Sequence, residues 1–214
     1  MSYSSLASYK KLSPNYSKRT APISKITIHH CAVVNATLEG LGNGFAQPSR
    51  QASSNYGIDS NGRIGVFVEE EYRAWTSSNR DNDNVAVTIE VSNSTGSPNW
   101  EVSAKAMDAL IKLCVDICKR NGIKELNFTG NKNGNLTMHK WFAATDCPGR
   151  YLESKFPYIA EQVNKQLKND GATANNSKPI YRVQVGAFYN RTFAENLKKE
   201  LQSKGYKDAF IREG

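Results

Sequence analysis

The chain has 214 residues, 39% of them apolar and 22% charged, with a net charge of +8. This is an ordinary globular composition, with room for one hydrophobic core and a small additional module. It excludes a membrane-spanning segment, because no run of roughly 18 apolar residues occurs. The basic balance suits a polyanionic partner. The lysines and arginines are dispersed, however, and no helix-turn-helix or zinc-finger spacing is present, so no nucleic-acid partner is expected.

The opening stretch MSYSSLASYKKLSPNY lacks an apolar core after a basic start and does not read as a secretory signal. A chain made in the cytoplasm and released later is the expectation if it acts outside the cell. The Asn-x-Ser/Thr triplets at Asn35, Asn93 and Asn135 are then products of composition.

Residues 24–30, SKITIHH, predict a short β-branched strand ending in histidines. Residues 54–59 and 63–68 predict two strands around an Asn-Gly turn at Asn61-Gly62. Residues 84–92 alternate, with Val85, Val87, Ile89 and Val91 on one face and Ala86, Thr88, Glu90 and Ser92 on the other. Residues 101–120 give the clearest amphipathic helix, stopped by Gly122, with Cys114 and Cys118 read as small core residues. Residues 124–128 predict another strand, and residues 149–168 helical material broken at Pro157. Interspersed strands and helices predict an α/β or mixed class with one central sheet. Residues 169–180 read as a linker. Residues 181–214 read as a second unit: a strand through Tyr181, Val183 and Val185, a helix over Phe193–Leu201, a stop at Gly205 and a strand at 209–211.

Two positions carry chemistry. His29 and His30 end a predicted strand, where open sheets place ligands. His139 stands eight residues before Cys147. Two imidazoles and a thiolate are suitable zinc ligands, and three protein ligands leave a fourth position for water, the pattern of a catalytic site. By spacing alone, a capping histidine and a buried free thiol are equally open readings.

The stretches ITIHHCA, SSNYGIDSNGRI, VAVTIEVSN and MHKWFAATDCPG resemble, in order, the motifs of the zinc amidases related to bacteriophage T7 lysozyme and the peptidoglycan recognition proteins. The resemblance implies a catalytic domain over 1–168 with a central mixed β-sheet flanked by helices, and one Zn²⁺ per chain. It implies cleavage of the amide between N-acetylmuramic acid and L-alanine in peptidoglycan, as by a phage endolysin. Residue by residue, it makes His29, His139 and Cys147 the metal ligands and His30 a packing residue. Tyr56 falls where a tyrosine lies near the metal, and Glu90 where one branch of the family has a general base. Thr145 stands where some members carry an oxyanion-stabilising lysine, so its role is reduced to a hydrogen bond. Asp146 reads as structural. The alternative is a non-cutting recognition protein; such members typically lack the cysteine ligand, and Cys147 is present.

The segment YRVQVGAFYNRTFAENLKKELQSKGYKDAFI resembles the first half of a sporulation-related repeat (SPOR) domain, a module that binds peptide-free glycan strands. The family unit joins two βαβ halves in one sheet, and this chain carries one half. About 34 residues with two strands rarely fold alone, which leads to the expectation of a homodimer pairing two half-modules. Arg182 and Gln184 alternate away from Val183 and Val185 and are the candidate glycan contacts.

Overall fold

The computed structural model describes residues 3–174 and 184–212. Its strands are β1 (Tyr9–Lys10), β2 (Tyr16–Lys18), β3 (Lys25–Val34), β4 (Tyr56–Ile58), β5 (Ile64–Val66), β6 (Tyr72–Ala74), β7 (Ala86–Asn93) and β8 (Leu136–Met138). Its helices are α1 (Leu38–Phe45), α2 (Arg80–Val85), α3 (Ala104–Arg120), α4 (Gly149–Ala174) and α5 (Arg191–Ser203). The strands form a six-stranded sheet in the order β1-β5-β4-β7-β3-β8 and a β2–β6 ribbon. Only the β4–β5 hairpin is antiparallel within the large sheet; β4–β7, β7–β3 and β3–β8 are parallel. This is the expected mixed sheet flanked by helices.

Period-two alternation divides the sheet's side chains between two faces. Ile26, Ile28, Tyr56, Ile58, Val87, Ile89, Val91, Leu136 and Met138 join α3 and α4 in one apolar cluster. The opposite face carries Thr27, Thr88 and Thr137, all fully buried. β7 is buried on both faces, which explains why its polar side also lies inside.

Helix α3 starts at Ser103, whose hydroxyl accepts from Ala106 N at 3.1 Å. It ends before Gly122, which takes the left-handed conformation at φ +70°. Cys114 and Cys118 are fully buried on its core face, as their spacing suggests. In the β4–β5 turn, Gly62 has φ +82°, and a Cβ there would lie 2.7 Å from the Lys105 carbonyl, so only glycine fits.

Residues 3–18, outside the regular helices, are tied into this unit. Ser4 N donates to the Tyr56 hydroxyl at 2.7 Å, and β1 pairs with β5 and β2 with β6. The Ser13 hydroxyl donates to the Phe45 carbonyl at 2.5 Å.

Several expectations are corrected. Val85 ends α2 instead of opening β7. No strand forms at 124–128. The Asn164 amide from α4 pairs with both backbone groups of Leu126, at 2.7 and 2.9 Å, and the Asn135 side chain bonds Asn127 N and Glu125 O. Amide side chains do there what a neighbouring strand would do. Pro157 does not break α4, which runs through it to Ala174, into the stretch read as linker. Pro157 is exposed and removes one helical hydrogen bond, a loss of about 3 kcal/mol. Burial of Leu152, Phe156, Ile159 and Val163 offsets it, at roughly 1.5–3 kcal/mol each.

The C-terminal residues form a separate unit. Helix α5 is capped by Asn190, whose side chain accepts from Thr192 N at 2.9 Å. The strands expected on either side do not form among the described residues: 184–188 and 209–212 are irregular, and 175–183 lie outside them.

Candidate metal centre

Parallel strands deliver their C-terminal ends to one edge of the sheet, and the candidate residues meet there. His29 is the fifth of the ten residues of β3, which runs on past the histidines, where the sequence predicted its end, to Val34. It stands directly opposite Glu90 of β7, just before the irregularity that follows His30 in the ladder. His139 follows β8 at once, on a short 3-10 turn over His139–Trp141. Cys147 comes from the loop before α4. That loop is closed by Lys140 N donating to the Cys147 carbonyl at 3.0 Å and Gly149 N to Asp146 O at 2.7 Å.

One ligand atom each from His29, His139 and Cys147 lies within 4.8 Å of the other two. The two imidazole rings are tilted, with centroids 4.6 Å apart. His29 Nε2 and His139 Nε2 are buried and have no hydrogen-bond partner. Glu90 is half-buried as a residue, but its Oε2 is shielded from solvent and also has no partner. His30 N donates to Cys147 Sγ at 3.4 Å, which fixes the sulfur from the β3 side.

The electrostatics follow from burial. Desolvation lowers the His29 pKa well below the usual value, with smaller contributions from His139 and His30. Burial also lowers His139, opposed by the charge of Asp83 and by the nearby Ser77 backbone. Both rings are therefore neutral near pH 7, the form a metal requires. Burial, with Glu90 nearby, pushes the Cys147 thiol up. Burial pushes the Glu90 carboxyl up to about 8, against the pull of Arg50. Three buried polar atoms without a partner, His29 Nε2, His139 Nε2 and Glu90 Oε2, make an expensive arrangement, at roughly 1–3 kcal/mol for each unsatisfied group. A cation between two nitrogens and a sulfur satisfies the ligands and favours the ionised thiol and carboxylate. An N₂S donor set is one that zinc accepts.

The sequence pattern of the N-acetylmuramoyl-L-alanine amidases matches residues 19–150, more than half of the chain. The chain belongs to the N-acetylmuramoyl-L-alanine amidase family. A SPOR domain pattern matches residues 159–213. Among solved structures, a mutant endolysin from Bacillus subtilis is similar at 18% identity and TM-score 0.58, over 72% of this chain and 97% of that one. The catalytic domain of XlyA gives 18% and 0.57 over 72% and 97%, and AmpD gives 17% and 0.55 over 74% and 97%. These identities establish the fold. No curated protein matches the sequence.

The remaining expected site residues of this amidase are placed differently. Tyr56 stands opposite Ile89 in the ladder and joins the apolar cluster on the α3 side, across the sheet from His29 and Glu90. Its hydroxyl donates to Glu70 at 2.5 Å and accepts from Ser4 N. Glu70 in turn accepts from Arg120 at 2.6 and 2.8 Å. The expectation of a tyrosine at the metal is corrected: alternation sends this side chain to the core, and a buried ion pair engages its hydroxyl. Thr145 is exposed, and its Oγ1 accepts from Cys147 N at 3.2 Å, so the hydroxyl is committed to the ligand loop. His30 is buried edge-on against Trp100, ring centroids 5.4 Å apart, which is a packing role. Asp146 is exposed beside the ligand loop. Cys31 is half-exposed and lies outside the ligand cluster. Gln184 is exposed, its amide reaching only Gly186 O at 3.5 Å, and Arg182 lies outside the described residues.

Sequence reasoning missed the groups behind the ligands. Thr27, Thr88 and Thr137 each stand two residues before His29, Glu90 and His139. They form one buried layer, in which Thr27 Oγ1 meets Thr137 Oγ1 at 2.9 Å. Three strands with Thr at the same offset from a chemical residue were the available signal. Arg50, the cation acting on Glu90, had none.

Proposed function

We propose that this amidase hydrolyses the amide between N-acetylmuramic acid and L-alanine in peptidoglycan, using zinc held by His29, His139 and Cys147. The observation that supports it is the convergence of two partnerless buried imidazole nitrogens and one thiol at the strand ends beside a partnerless carboxylate. When bound, zinc would polarise the scissile carbonyl and acidify water. Glu90 would take the proton from the attacking water and return it to the departing L-alanine amine. Its apolar setting holds the proton readily between the two steps. His30 N and Thr145 Oγ1 hold the Cys147 sulfur and backbone in place. The lysine carried at the Thr145 position by some relatives has no counterpart, so this chain supplies no side-chain cation there.

The experiment is to incubate the protein with purified peptidoglycan, with and without a chelator, and to assay new L-alanine amino termini against reducing sugars. Amino termini that vanish with chelation are expected. Reducing sugars without amino termini would end the amidase reading.

The role we infer is that of an endolysin, made in the cytoplasm and meeting the wall after release. The fold shared with the B. subtilis endolysin and the charge of +8 support it. Producing cells should lyse when their membrane is permeabilised and stay intact otherwise. For the C-terminal unit, we propose that two chains pair their half-modules. Val185, Phe193 and Phe210 are about 60% exposed, and α5 buries nothing, which leaves an apolar face for a second copy. Sedimentation of chains with and without residues 169–214 tests this; equal monomeric masses would overturn it.

A further inference from the structure

The loop before α2 passes beside His139, and it is built around one buried carboxylate. Asp83 is 2% exposed. Its oxygens accept from Thr76 N at 3.0 Å, from Ser77 N at 3.0 and 3.2 Å, and from the Ser77 hydroxyl at 2.5 Å. The adjacent Asn82 amide donates to Ser77 Oγ at 3.1 Å and to Thr27 Oγ1 at 3.0 Å. Thr27 Oγ1 meets Thr137 Oγ1, and these threonines sit one layer beneath His29 and His139. Ser77, Thr27 and Thr137 are fully buried. The chain of contacts ends on Thr137, two residues before His139 on the strand that leads into it. Nothing in the amidase reaction uses Asp83, and a carboxylate desolvated to this degree is not a surface accessory.

We propose that Asp83 is a positioning residue for the metal centre: by gripping Ser77 and, through Asn82, the Thr27–Thr137 pair beneath His29 and His139, it holds the two ligand-bearing strands in place, and so sets the affinity for the metal. This rests on the zinc reading above and adds to it. Backbone and carboxylate groups behind a ligating imidazole commonly carry a 10–100-fold share of metal affinity. Here the carboxylate acts at one remove, through the backbone it orders. Its negative charge on the His139 side also favours a nearby cation.

The test uses the full chain and Co²⁺ as a probe, whose visible absorption reports ligand geometry, with Zn²⁺ displacing it in competition. Three proteins are compared: the unsubstituted chain, Asp83→Asn and Ser77→Ala. Asp59→Asn serves as control, since Asp59 is an equally buried carboxylate that accepts from Asn61 N and Arg63 N in the β4–β5 turn. Asp83→Asn is expected to weaken Co²⁺ binding roughly 10–100-fold and to change the absorption bands, and Ser77→Ala to weaken it about tenfold. Asp59→Asn should lower metal-free stability and leave affinity and spectrum unchanged. An Asp83→Asn protein with a native circular dichroism spectrum, lower metal-free stability and unchanged affinity would show a merely structural carboxylate and overturn the proposal. If Asp83→Asn does not fold, Ser77→Ala decides by the same criterion. Absence of Co²⁺ and Zn²⁺ binding in the unsubstituted chain would overturn the zinc reading itself, whereas equal binding by all variants overturns only the role of Asp83.

Discussion

Helices α3 and α5 share a sequence design and have opposite fates. Both carry apolar residues at helical spacing, and both have a polar side chain capping the first turn. In α3 that stripe meets the sheet, and Leu110, Leu113 and Ile117 are fully buried. In α5 no residue is buried, and Phe193 is 59% exposed. Periodicity decides that a segment can be a helix; a core requires a second layer to bury the stripe. The amidase unit supplies that layer, and the C-terminal unit, among its described residues, does not. Chemistry follows the same division: the ligand cluster sits where two buried faces hold the strands in register, while Gln184, the expected glycan contact among the described residues, falls outside any strand.

The contrast can be broken at several points. The largest effect is expected at the metal ligands: Cys147→Ala should lose both zinc and cleavage, measured by metal content and by amino-terminus release, and full activity in that variant would remove Cys147 from the site. Next, Glu90→Gln should retain metal and lose roughly 10²–10⁴-fold in kcat.

The same substitution has a signature in stability. The Glu90 carboxyl is raised to about 8 in the folded chain, so the folded state binds more protons than the unfolded state up to that pH. Metal-free stability should then fall as pH rises, reaching its floor near pH 8. His29 and His139, whose pKa values are lowered, act oppositely, but only below the ordinary histidine value of 6.5. The window from 6.5 to 8 therefore belongs to Glu90. A decline in melting temperature there should flatten in Glu90→Gln; a decline that persists would assign it elsewhere.

Tyr56→Phe separates core from chemistry more finely. It should cost about 1–3 kcal/mol of stability in thermal or urea unfolding, by stranding Glu70 and Ser4 N, and leave kcat within twofold or so. A large loss of kcat at unchanged stability would restore Tyr56 to the metal. The smallest effect belongs to the half-module: Phe193→Ser should change the amidase unit's stability by less than about 0.5 kcal/mol while reducing self-association in sedimentation.

The sheet was legible because β3 and β7 announce themselves by β-branched residues and alternation, and the ligands because the motifs that carry His29, His139 and Cys147 follow one another in a specific order. The face of Tyr56 was legible too: it stands two residues before Ile58 and shares its side of the strand, yet the resemblance to a metal-side tyrosine pulled the reading the other way. Other features depended on partners distant in sequence. The coil at 124–128 rests on Asn164, 38 residues beyond Leu126. The continuity of α4 through Pro157 rests on the burial of its flanking residues. The His29–Glu90 juxtaposition rests on a parallel register that spacing along one strand does not reveal.

The family pattern begins at residue 19, but the folded unit begins earlier. Residues 3–18 close the outer edge of the sheet through β1, add half of the β2–β6 ribbon and supply the backbone donor that shares the Tyr56 hydroxyl with Glu70. What relatives share and what the molecule needs in order to stand are different boundaries. A truncation drawn at the shared one would leave every proposed ligand in the chain and expose β5 as a bare edge, open to pairing with another molecule. It would aggregate with its chemistry nominally intact, and loss of activity in such a fragment would say nothing about the site.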